Sequence, residues 1–267
     1  MDTRPEHSSQ DRLVFFVDAD NTLWGTDAVY ADAQNKLLTR VERATGVTCQ
    51  APDRLTFVRH IDQTLAQRHH LGFRYPPSLL AHALARTLTG ASLEGAAIHA
   101  WRNPSTGPLD DETVARIARQ FVQDVRTLPA LLPGAIEGLR RLRDAGATVF
   151  VVTEGHKRRV EETAELLGIS SLVDRIIAGP KRRELFARVL KLAGRPRQAF
   201  MIGDQIARDM APAKASGLTT VYVPGAFKPR WEASESRDTI DMEAPRFDVA
   251  VSQALSRTTR STLRRPA

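Results

Sequence analysis

Two hydrophobic rhythms alternate along this chain. Short continuous apolar runs occur at 13–17 (LVFFV), 147–152 (ATVFVV), 199–202 (AFMI) and 219–223 (TTVYV). They are rich in β-branched and aromatic residues and shorter than core helices, the pattern of strands buried on both faces. A weaker run, Arg175–Ala178, is a fifth candidate. Between them lie segments with helical spacing. Residues 135–145 carry Ile136, Leu139 and Leu142 between Pro133 and Gly146. Residues 156–167 close at Gly168, 182–193 at Gly194 and 205–216 at Gly217, each glycine a helix stop signal. Strand–helix–strand alternation predicts an α/β fold, a doubly wound, Rossmann-like parallel sheet. Right-handed crossovers then bring the C-terminal strand ends to one edge.

The alternation breaks after the first strand. From Trp24 to about Leu132 the spacing is helical only: Val29, Ala33, Leu37, Val41 and Ala44 share one face of 27–45, and 53–69, 77–89, 92–101 and 110–127 follow. The expected organisation is a core of 1–24 and 133–255, an inserted all-helical domain at 25–132, and a disordered basic tail at 256–267.

Composition adds boundaries. At 267 residues the chain suits one domain plus an insertion. The single cysteine, Cys49, excludes an internal disulfide and a cysteine-based zinc site, and fits a cytoplasmic setting. No apolar run approaches membrane-helix length, and no membrane partner is expected. The net charge of +7 includes Arg257, Arg260, Arg264 and Arg265 at the C-terminal end. Basic residues are otherwise scattered over helix faces without interleaved aromatics. Nucleic acid is therefore not expected as the primary partner.

Candidate chemistry begins at Asp18 and Asp20. They stand two residues apart where the first strand ends, the edge at which open α/β sheets bind ligands. Carboxylates beside a buried run need a positive partner, which points to a hard divalent cation and an oxygen nucleophile.

Asp18-x-Asp20-x-Thr22 resembles motif I of the haloacid dehalogenase-like (HAD) hydrolases, a superfamily dominated by Mg²⁺-dependent phosphatases. Three further segments resemble its remaining motifs in order: Thr153-Glu154-Gly155, Gly179-Pro180-Lys181, and Gly203-Asp204 followed by Asp209. The resemblance implies that Asp18 is a nucleophile forming an aspartyl-phosphate and Asp20 the general acid/base. Thr22 buttresses the loop, while Thr153 and Lys181 hold the phosphoryl group. Mg²⁺ is the implied cofactor, with Asp18, Asp20 (through its backbone carbonyl) and Asp204 as ligands and Asp209 supporting the metal waters. The helical insert resembles the type 1 (C1) cap. The implied activity is hydrolysis of a small phosphorylated metabolite. Phosphomutase chemistry, 2-haloacid dehalogenation and a non-catalytic binding role are the alternatives, and Asp20 argues against dehalogenation.

Competing local readings accompany these assignments. Thr153 could only cap the next helix, and Lys157 rivals Lys181. Glu154 stands where the family most often has Asn, and its side chain is expected to face away from bound phosphate. Trp24 reads equally as lining the entrance or packing against the insert, while His60, His69, His70, Arg74 and Trp101 are candidate specificity contacts that read first as ordinary cap residues. Substrate identity and oligomeric state are not legible in the sequence.

Overall fold

The computed structural model describes residues 13–263 except 71, 233 and 234. β1 (Leu13–Asp18) is followed by five helices: α1 (Thr26–Thr45), α2 (Arg54–Arg68), α3 (Pro77–Leu88), α4 (Leu93–Arg102) and α5 (Asp111–Asp124). The chain then alternates through α6 (Ala135–Asp144), β2 (Thr148–Thr153), α7 (Lys157–Leu166), β3 (Arg175–Ala178), α8 (Arg183–Leu192) and β4 (Gln198–Gly203). A π-turn (Ile206–Met210), α9 (Ala211–Ala215), β5 (Thr219–Tyr222), β6 (Met242–Glu243) and α10 (Phe247–Leu263) complete it. Two compact units result, Ala28–Leu128 and the remainder of the chain.

All six strands are parallel, in the order β3-β2-β1-β4-β5-β6. β1 is central, so the strand order reverses direction between β1 and β4. This is the doubly wound α/β core with an all-helical insert that the hydrophobic pattern predicts. Side chains alternate across β1 with the period of two that a strand imposes. Phe15 and Val17 enter one core layer with Leu139 and Leu142 of α6, Val160 of α7, and Phe247 and Val251 of α10. Val14 and Phe16 face the other way, onto Phe186 of α8 and onto Ile206, Met210 and Ala213. Phe15 stacks on Phe200 of β4 at 4.9 Å, and Phe16 meets Phe186 edge-on at 5.6 Å. Such fully buried aromatics clamp β1 from both faces; truncating one costs about 3–5 kcal/mol.

The insert is built round α3, whose residues Leu79–Ala85 are all buried. Its helices start on strong caps: Asp53 accepts from the Thr56 N–H, Ser92 from Gly95 and Asp110 from Thr113. A polar network joins α1 to α2 and the turn beyond it. There Asp62 accepts from the Gln34 side-chain amide at 2.7 Å and the Tyr75 hydroxyl at 2.5 Å.

Two sequence expectations are corrected. Residues 256–263, expected to be disordered, continue α10, because Phe247, Ala250, Val251 and Ala254 form a buried helical stripe that carries the helix onward; residues 264–267 of the expected tail lie outside the described residues. Residues 205–216, expected as one helix, are a π-turn followed by a short α-helix. Pro212 has no N–H to continue a regular ladder, and the Met210 N–H reaches back five residues to the Gln205 carbonyl at 3.3 Å. Among the described residues no helix is long and apolar enough to cross a membrane.

Candidate active site

The edge at which β1 and β4 end is the topological switch point of the sheet, the place where diverging loops leave a crevice. Asp18 is the last residue of β1, and Asp204 follows directly on β4; both are buried. After Asp18 the chain folds back at once. The N–H groups of Leu23 and Trp24 converge on the Ala19 carbonyl at 2.9 and 3.3 Å, and Asn21 adopts φ 60° to make the turn. Thr22, buried beneath it, directs its hydroxyl towards Asp18 Oδ2 at 3.4 Å.

Lys181 reaches this point from the loop between β3 and α8. Its buried amine donates to Asp18 Oδ1 and, at 2.6 Å, to Asp209 Oδ1. The other Asp209 oxygen accepts from the Gln205 N–H at 3.0 Å, so the π-turn points this carboxylate back into the protein. Gly203 makes room for it: a Cβ there would lie 2.5 Å from Asp209 Oδ2. Lys157 lies elsewhere, exposed on α7 and paired with Glu161. Of the two rival lysines, the fold brings Lys181 to Asp18.

Carboxylate oxygens of Asp18, Asp204 and Asp209 lie within 4.8 Å of one another. Three buried acids thus face one ammonium group, which leaves an excess of negative charge in a poorly solvated place. Burial pushes Asp18 up to about 7; Lys181 pulls it down, while Asp209 and Asp20 add to the rise. Asp204 is driven well above the usual carboxylate range by burial, then by Asp18 and Asp209. Burial opposes the Lys181 ammonium, but Asp18 and Asp209 outweigh it and keep the group charged. Asp204 Oδ1 is buried and has no hydrogen-bond partner among the described residues. A buried oxygen without a partner, inside a cluster short of positive charge, fits a divalent cation in chemistry and in sign.

Asp20 lies just outside the cluster. Its Oδ1 accepts from the Trp24 indole N–H at 3.0 Å and the Thr26 hydroxyl at 2.5 Å. Sequence reasoning did not assign this role to Trp24 and Thr26; their four- and six-residue spacing from Asp20 was the available signal. Thr153 is buried at the end of β2, where its hydroxyl oxygen accepts from the Gly155 N–H at 2.9 Å. The Thr153 O–H remains available as a donor. Glu154 has partners that the sequence did not suggest: its carboxylate accepts from the Lys181 backbone N–H at 2.9 Å and faces Arg208 Nη1 at 3.3 Å.

A profile described as haloacid dehalogenase-like hydrolase matches residues 13–217. The chain belongs to this family. No curated protein matches it. Solved structures share its fold. A haloacid dehalogenase-like family hydrolase from Xanthomonas campestris is 21% identical, with 97% of each chain covered and a TM-score of 0.59. YfnB from Bacillus subtilis, classed as a HAD-hydrolase and bound to magnesium, is 16% identical over 92% of this chain and 99% of its own, with a TM-score of 0.60. CbbY from Rhodobacter sphaeroides, in complex with phosphate, is 20% identical over 90% of this chain and 98% of its own, with a TM-score of 0.52. At these identities the likeness is one of fold.

Proposed function

We propose that this HAD-like hydrolase is a Mg²⁺-dependent phosphomonoester hydrolase of a small phosphorylated metabolite, working in the cytoplasm, with the helical insert acting as a type 1 cap. The observation that carries the reading is the buried cluster of Asp18, Asp204 and Asp209 around Lys181, with one Asp204 oxygen unpartnered. The magnesium and the phosphate present in two structures of the same fold are consistent with it.

In this reading an Asp18 carboxylate oxygen attacks phosphorus and the bond from phosphorus to the ester oxygen breaks. Asp20 gives its proton to the leaving alkoxide. Asp20 then takes a proton from a water molecule, whose oxygen attacks the same phosphorus. Inorganic phosphate leaves and the Asp18 carboxylate is restored. Lys181 balances the charge between nucleophile and phosphoryl group, and the Thr153 hydroxyl donates to a phosphoryl oxygen. The carboxylates of Asp18 and Asp204 and the backbone carbonyl of Asp20 would hold Mg²⁺, which supplies charge neutralisation for phosphoryl transfer. Asp209, with both oxygens already engaged, anchors Lys181 and supports metal-bound water.

The test is release of inorganic phosphate from a panel of phosphorylated metabolites and from p-nitrophenyl phosphate. Turnover is expected with Mg²⁺, none after chelation, and none with Asp18→Asn. Undiminished turnover in EDTA or in the Asp18→Asn protein would overturn the assignment.

A further inference from the structure

Glu154 occupies an unusual place for a carboxylate. It directly follows Thr153, beside the expected phosphoryl cradle, where an unpaired negative charge would repel phosphate. Its charge is not left unpaired. One oxygen takes the backbone N–H of Lys181, 27 residues on, at 2.9 Å, and the other faces the Arg208 guanidinium at 3.3 Å. A single side chain thereby ties together the ends of three strands: β2, which it terminates; the loop after β3, which carries Lys181; and the π-turn after β4, which carries Arg208 and Asp209.

The loop it holds has an exacting task. The Lys181 amine must sit between Asp18 and Asp209 at the end of a flexible four-carbon stem. Where that amine comes to rest is set by where the Lys181 backbone is held. The loop is fastened to β2 and its end by the Gly179 N–H on the Thr153 carbonyl at 2.9 Å and by the Lys181 N–H on Glu154. Arg208 also stands next to Asp209 in sequence, so the Asp209 partner of the Lys181 amine and the anchor of the Lys181 backbone belong to one connected set. A charge-assisted bond to a backbone N–H is stronger and more directional than a neutral one.

We infer that Glu154 is a positioning residue that, clamped by Arg208, fixes the Lys181 backbone and so aims its amine at Asp18. This rests on the phosphohydrolase reading for its kinetic consequence, but not for its structural one. Glu154→Gln retains an oxygen acceptor for the Lys181 N–H; Glu154→Ala does not.

The experiment measures the same three proteins, wild type, Glu154→Gln and Glu154→Ala, in two ways. Hydrogen exchange at the Lys181 amide is expected to be slow in the wild type, nearly as slow in Glu154→Gln, and faster in Glu154→Ala. With p-nitrophenyl phosphate and Mg²⁺, Glu154→Ala should lose roughly ten- to a hundredfold in kcat with KM little changed, and Glu154→Gln should recover most of the loss. Unchanged Lys181 protection in Glu154→Ala would overturn the proposal, as would a wild-type kcat despite lost protection. If Glu154→Ala does not fold, Glu154→Met, which keeps the length of the side chain but offers no oxygen to the Lys181 N–H, replaces it with the same two outcomes. Should the wild type hydrolyse no phosphomonoester, the functional reading fails while the exchange measurement still decides whether the clasp exists.

Discussion

The Lys181 amine and the Asp209 carboxylate, 28 residues apart in sequence, meet at 2.6 Å in the protein interior, and the same amine donates to Asp18. The contact is an ion pair inside a cluster whose acids outnumber its base. Removing the ammonium leaves Asp18, Asp204 and Asp209 facing one another without a counter-charge. Lys181→Met should therefore cost about 3–5 kcal/mol in metal-free buffer, the usual penalty for orphaning buried charge. Thermal melts check this. Mg²⁺ should raise the melting temperature of the variant by more than that of the wild type, since the cation takes over part of the missing charge. A metal-free melt equal to wild type would show that the cluster is solvated after all.

The unpartnered Asp204 Oδ1 makes a complementary claim about the metal itself. A ligand that binds only the folded protein stabilises it by mass action, about 2.7 kcal/mol at a concentration 100 times its dissociation constant. Mg²⁺ titrated against the melting temperature should give such a rise for the wild type and little or none for Asp204→Asn. Equal rises in the two proteins would remove Asp204 from the metal site.

Much of this arrangement was legible in the residues. β1 and the Asp18–Asp20 pair announce themselves because a doubly buried strand is an unbroken apolar run and its end is abrupt. Lys181 could be preferred over Lys157 because it precedes a helix at the family's spacing. The insert was legible as helices because its apolar spacing never drops to a period of two. What escaped was whatever depends on distant partners. The partners of Glu154 escaped because the Lys181 N–H and Arg208 lie 27 and 54 residues away and leave no local pattern. The two-residue β6 is too short to have a period, and the short stripe from Phe247 to Ala254 that seeds α10 runs straight into an Arg-, Ser- and Thr-rich stretch with no apolar period of its own. The π-turn was hidden because a run from 205 to 216 looks helical until the missing N–H of Pro212 is counted.

Gly203 tests the fit between β4 and that π-turn. An added methyl would lie 2.5 Å from Asp209 Oδ2 and 2.6 Å from its Cγ, with the carboxylate already held by Lys181 and Gln205. Gly203→Ala should cost about 1–3 kcal/mol by overpacking and displace the Lys181 partner, so turnover should fall with stability. Gly179→Ala is the internal control, because the nearest described side-chain atom beyond its chain neighbours to a Cβ there is Leu185 Cδ1 at 4.0 Å; its stability should stay within about 0.5 kcal/mol of wild type. Denaturant titration of both proteins separates a local clash from a general intolerance of alanine at these strand-end loops.

The insert carries a pH dependence of its own. Asp62 lies partly buried between the Tyr75 hydroxyl and the Gln34 amide, and burial raises its pKa from 3.8 to about 6 even though both donors favour the ionised form. A carboxyl group whose folded pKa exceeds its unfolded one holds its proton more tightly in the native state. Its contribution to stability is present in full below about pH 4 and is lost as pH rises through 6. At about 1.4 kcal/mol per pKa unit the ionised group costs the folded protein about 3 kcal/mol near neutrality. Asp62→Asn cannot ionise, yet its side-chain oxygen can still accept from Tyr75. The stability of the wild type relative to Asp62→Asn should therefore fall by about 3 kcal/mol between pH 4 and pH 7 and stay level above that. Urea titrations of both proteins across this range measure the difference directly, with titrations common to the two cancelling. A difference that does not change with pH would mean that folding leaves the Asp62 pKa unshifted, with Tyr75, the Arg59 charge and Gln34 together offsetting its burial.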